Sequence, residues 1–109
     1  KLMQAELNEA SLEDADLTGA YLIKADLTKA NLSGADLTQA VLSEANLSGA
    51  DLNGAELTDA FLNGANLKGV HNLTCDQVEL AIYDKETIFP DYITIQWSSN
   101  GCCECLEEN

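Results

Sequence analysis

The residues best equipped for chemistry in this 109-residue chain are four cysteines, Cys75, Cys102, Cys103 and Cys105. Thiols of this kind pair as disulfides, stay free as nucleophiles, or hold zinc in sets of four. Zinc sets usually come as two cysteine pairs, each with two to four intervening residues. The run Cys102-Cys103-Glu104-Cys105 fits that spacing poorly. The readings favoured are a disulfide from Cys75 to the tail in an oxidising compartment, or free thiols. A cross-link between chains through the adjacent cysteines stays open, and a redox- or metal-responsive tail is kept as an alternative function. No residue is assigned as a metal ligand.

Other reactive side chains are few. His71 is the only histidine, and although Cys75 and Asp76 follow closely, no orienting group or pocket accompanies it. It reads as a surface residue. Neither a phosphate-binding glycine loop nor a Ser-His-Asp set is present. The expectation is no catalytic residue, no cofactor and no enzyme.

The charge balance is acidic, with 19 Asp and Glu against 5 Lys and Arg together, a net charge of -14. Phosphate backbones and anionic lipid need a basic patch, so direct nucleic-acid binding is not expected. No apolar run approaches the roughly 20 residues of a membrane helix, and no membrane insertion is expected. The chain opens at Lys1 in mid-repeat without an initiator Met. An address upstream would lie outside it, so cytoplasmic and exported locations both stay open.

The elements that must position these groups follow from a repeat. Leucines stand five apart from Leu2 to Leu67, and an alanine precedes each by two residues from Ala5 to Ala65. Five fits neither a 3.6-residue helix nor a two-residue strand. On a helix the leucines would wind around the cylinder, and on a straight strand they would alternate faces. Each unit must therefore turn a corner and send its Leu inward. The core is expected to hold Leu17, Leu37 and Leu57 with Ala15, Ala35 and Ala55.

Units such as Ala15-Asp16-Leu17-Thr18-Gly19 and Ala45-Asn46-Leu47-Ser48-Gly49 resemble the pentapeptide-repeat family over residues 1–70. The resemblance implies an all-β solenoid, a right-handed four-sided β-helix with four repeats to the coil, here about 3.5 coils. Many members are bacterial and lack an assigned role, which implies a non-catalytic structural or protein-interaction module. Some longer members mimic duplex DNA and bind topoisomerases such as DNA gyrase. That is the alternative, although a column of about 17 Å matches only about five base pairs.

Departures from the repeat carry more information than the repeat. Among residues just before a Leu, the large apolar ones are Tyr21, Val41 and Phe61, spaced twenty apart. They should stack on one wall, with Ile23 beside them. That wall is either a partner or homodimer interface, or the docking place of the tail. Asp16, Asp36 and Glu56 should stack on another wall, where they read as ordinary solvated residues, with a cation bound to relieve their repulsion as the less favoured alternative.

The register fails at Val70-His71-Asn72. The expected division is a β-helix over 1–72, a capping helix over 73–83 and an extended, cysteine-bearing segment over 84–109, all in one domain. Thr74-Cys75-Asp76-Gln77 has the form of a helix capping box, predicting a helix from Cys75 to Ile82 with Val78, Ala81 and Ile82 as its apolar stripe. Tyr92–Trp97 reads as a strand suited to covering the Tyr21/Val41/Phe61 wall, and Ser98–Asn109 as a polar tail that needs a bond to tie it down.

Overall fold

The computed structural model describes residues 4–97 and 103–107. Each five-residue unit makes one rung and one corner. At the rung, the residue before Leu pairs in parallel with its counterpart twenty residues on, as in Asp16↔Asp36, Asp36↔Glu56 and Val41↔Phe61. The Leu37 N–H donates to the Glu56 carbonyl at 2.8 Å, and the Asp36 N–H to the Ala15 carbonyl at 2.9 Å. An inner coil is thus bonded to the coils on both sides.

At the corner, the Ala35 N–H donates back to the Leu32 carbonyl at 3.0 Å, and Gly34, the second of the two residues between them, has φ +70°. A positive φ at that place is the mark of a type II turn. Glycine takes it without strain, yet Lys24, Gln39 and Asp59 adopt it too, with φ of 60°, 60° and 58°. A Cβ at Gly34 would displace the exposed Asp14 carboxylate of the neighbouring coil.

The rung residue is Asp or Asn because its side chain closes the turn. Asp36 Oδ1 accepts from the Thr38 N–H at 3.0 Å and the Thr38 hydroxyl at 2.6 Å. Asn46 and Asp51 accept from the N–H two residues on, each at 3.0 Å. This is the Asx turn, a local bond that short polar side chains make well.

Inside, Leu22 to Leu67 and the alanines Ala25 to Ala65 are buried. Leu37, Leu57, Ala35 and Ala55 lie within that stack. Leu17 and Ala15 do not: they belong to the first described coil, which has a neighbour on one side, and they are only partly buried.

The chain after the repeats differs from the expectation in three ways. Helix α1 is Cys75–Leu80, with Thr74 and Gln77 forming the capping box, and ends where Ala81 returns to extended geometry. Ile82 is therefore not on the helix. It rejoins the ladder beside Phe61, and Ile88 does so beside Asn66. Strand β1, Ile93–Trp97, pairs antiparallel with β2, Cys103–Glu107. It does not cover the Tyr21/Val41/Phe61 wall. Ile93 instead joins the buried cluster with Val70, Leu73 and Val78, and the neighbouring Tyr92 hydroxyl accepts from the Leu73 N–H at 2.9 Å and donates to the Val70 carbonyl at 3.1 Å.

Ala35 is fully buried between two coils, so Ala35→Leu should overpack the column and cost about 1–3 kcal/mol. Urea unfolding measures this, with the midpoint lowered and the slope unchanged.

Candidate functional site

Three features compete as the functional site: the apolar wall, the carboxylate wall and the cysteines. The ladder places Tyr21, Val41, Phe61 and Ile82 in register as successive rungs of one wall. Tyr21, Phe61 and Ile82 are 46%, 38% and 40% exposed, and Val41 and Ile23 are half-buried. Four apolar rungs lie against solvent, the kind of contiguous patch that marks a contact surface. Ile82 was missed from the sequence because the register breaks between Val70 and the helix. Counting twenty from Phe61 gives Ala81, one residue short.

Asp16, Asp36 and Glu56 occupy one wall in register, each engaged with its own turn. The Thr18 N–H donates to Asp16 at 3.1 Å and the Thr58 hydroxyl to Glu56 at 2.5 Å. Among the described residues no group of three or more His, Cys, Asp or Glu is arranged to hold a metal ion.

The cysteines divide. Cys75 and Cys105 are joined by a disulfide, their Cα atoms 5.6 Å apart. It fastens the start of α1 to β2, and Glu107 of β2 accepts from the Cys75 N–H. Cys102 and the side chain of Cys103 lie outside the described residues. His71 is exposed and ends the wall that begins with Ser11, Asn31 and Asp51.

Among the described residues four carboxylates sit below the ordinary range. The hydroxyl and N–H of Thr28 hold down Asp26, and those of Thr38 hold down Asp36. The Asn72 amide, then the Asn53 N–H, lowers Asp51. At Asp84 desolvation pushes upward, but donors from Gly64, Glu86, Thr87 and Asn63 together outweigh it. Asp84 went unnoticed in the sequence because its partners stand twenty residues away: the Gly64 N–H reaches it at 3.1 Å.

The fold and site define a β-solenoid whose walls and corners face the surroundings. The repeats match the family described as Pentapeptide repeats, in eight copies over residues 1–34 and 30–69. The chain belongs to the pentapeptide-repeat family, whose architecture is the right-handed β-helix. Similar solved structures include Rfr23, a pentapeptide repeat protein from the cyanobacterium Cyanothece 51142, at 37% identity over 79% of this chain and 61% of that one, TM-score 0.38. A second is a pentapeptide repeat protein from the Arabidopsis thaliana thylakoid lumen, at 29% identity over 87% of this chain and 66% of that one, TM-score 0.37. A third is QnrB1, a plasmid-mediated fluoroquinolone resistance protein, at 21% identity over 73% of this chain and 38% of that one, TM-score 0.45. The chain spans less than two thirds of the length of each of these three. No curated protein matches the sequence. No helix among the described residues is long and apolar enough to cross a membrane.

Two predictions follow from the bonds just described. The disulfide closes a loop of 30 residues, so Cys105→Ser should lower unfolding free energy by about 3–4 kcal/mol in the chain-entropy account. Urea unfolding with and without a thiol reductant checks it, and the reductant should leave Cys105→Ser unmoved. The lowered carboxylates have folded pKa values below their unfolded ones. Their stabilisation is present in full above the ordinary value of about 4 and is lost as pH falls through the lower folded values. Acidification toward the pI of about 4.1 also relieves the repulsion of the net negative charge. The thermal midpoint should hold or rise from pH 7 to about pH 4.5 and fall below about pH 4.

Proposed function

We propose that this chain is a non-catalytic protein-interaction module, in which a rigid column of about 3.5 coils presents one apolar wall to a partner protein. On this reading α1 and the β1–β2 hairpin close the C-terminal end of the column. Gln77 Nε2 donates to the Leu52 and Ala55 carbonyls at 2.8 and 2.9 Å, which supports that role.

The observation that carries the reading is the exposure of the Tyr21, Val41, Phe61 and Ile82 wall. The chain has a hairpin to spare and lays it elsewhere, over Val70 and Leu73. The wall residues contribute little to the Leu/Ala core, so their apolar character has a better account in contact with another molecule than in folding. The alternative of a DNA-mimicking regulator of a topoisomerase has the net charge in its favour, but the apolar wall has no counterpart on a phosphate surface.

The test is co-purification from the native source with wild-type chain and with Val41→Ser/Phe61→Ser. A partner held at fixed stoichiometry by the wild type should be lost from the double variant, whose thermal midpoint should move by only a few degrees. A partner set unchanged by the variant would overturn the reading, as would protection of DNA gyrase in a supercoiling assay.

A further inference from the structure

The apolar wall runs into an acidic hollow at its corner, and the chain itself builds the connection. Ser43 and Glu44 follow the rung Val41 by two and three residues, and Asn63 and Gly64 follow Phe61 in the same way. Asp84 and Glu86 follow Ile82 by two and four residues. These six residues line one hollow of about 330 Å³. Its three ionisable groups, Glu44, Asp84 and Glu86, are all acidic.

Two further observations bear on what enters there. A Cβ at Gly64 would stand 3.3 Å from the Glu44 side chain, so the two corners are closely packed. Lys24, on the preceding coil, already brings its ammonium to 3.8 Å from Glu44. Both side chains of that pair are more than half exposed, and such surface pairs are weak and exchangeable. The rim thus already holds a cation loosely.

We propose that the wall and the hollow together dock an amphipathic segment of a partner protein, its Lys or Arg entering the hollow while apolar side chains lie along Val41, Phe61 and Ile82. This rests on the interaction-module reading above and names the chemistry of the partner. An Arg guanidinium suits the hollow best, because its planar fork can bond two carboxylates at once. Charge complementarity selects this occupant over a second copy: two copies of net charge -14 would bring like-charged hollows together. An acidic segment is disfavoured for the same reason.

The experiment uses three labelled peptides of about twelve residues, one mixing Leu with Arg, one Ser with Arg and one Leu with Glu, followed by fluorescence anisotropy in low and physiological salt. The Leu/Arg peptide should bind at least about tenfold more tightly than either of the others. Val41→Ser/Phe61→Ser should abolish its advantage over Ser/Arg. Glu44→Gln/Glu86→Gln should weaken it about tenfold in low salt. Glu9→Gln/Glu13→Gln removes the same charge from exposed positions off this wall and should leave it within about twofold. The two Gln pairs leave the Leu/Ala core untouched, so they remain informative even where the serine variant unfolds. Equal binding of Leu/Arg and Ser/Arg would reduce the effect to diffuse charge and overturn the proposal. So would equal weakening by the two Gln pairs, or no binding of Leu/Arg at millimolar concentration. Tighter binding of Leu/Glu, or self-association lost in the serine variant by sedimentation, would also overturn it while leaving the interaction-module reading intact.

Discussion

A β-ladder can keep a leucine pointing inward every fifth residue only if the chain turns a corner in each unit. That corner governs the rest of this molecule. It requires a residue at positive φ, which is uncomfortable for most side chains, and the protein accepts it at Lys24, Gln39 and Asp59 as well as at glycines. What holds these residues there is the ladder: the Gln39 N–H donates to the Thr58 carbonyl at 2.9 Å on the next coil. Corner and ladder enforce each other. The five-residue unit has no meaning alone and becomes stable only when stacked, as in other solenoids.

The same logic creates a problem at the ends. A coil with no neighbour leaves its carbonyls unpaired and its leucines bare. In the first described coil Leu7, Leu12 and Leu17 are partly exposed. Toward the C-terminal side, side chains bond carbonyls of the last repeats. Besides Gln77, the Thr87 hydroxyl reaches the Leu62 carbonyl at 2.7 Å, and Tyr92 serves Val70 and Leu73. Buried carbonyls are costly to leave unpaired, which explains why so short a segment spends polar residues on them. The Cys75–Cys105 disulfide then binds the hairpin to α1, a small pair of elements with little core of its own.

How much of this was legible in the sequence depended on periodicity. The inward leucines and alanines can be read directly, and the twenty-residue spacing of Tyr21, Val41 and Phe61 is enough to place them on one wall. The Thr-x-x-Gln box placed the start of α1 for an equally local reason. What could not be read lies beyond the point where the register slips. Ile82 has helical spacing from Val78, four residues before it, and only the ladder bonds to Ala60 and Leu62 reveal it as a rung. The strand Ile93–Trp97 was visible, but its direction was not, since alternation says which residues share a face and nothing about what that face meets. The hollow needed three coils to align Glu44, Gly64 and Asp84, residues with no local signal in common.

This division also bears on where function can lie in such a fold. Positions whose identity the corner, core or Asx turn dictates are not free to vary for recognition. Leu, Ala, the Asp or Asn rung and the positive-φ residue are mostly taken. A rung that is Tyr, Val, Phe or Ile forgoes the side-chain bond to the N–H two residues on that Asp36 makes with Thr38, and it exposes apolar surface as well. Both changes work against the isolated column, and they recur on one wall at the spacing of one coil. On the interaction-module proposal, a cost repeated in register is offset where all the rungs act together, against a surface that can bury them at once.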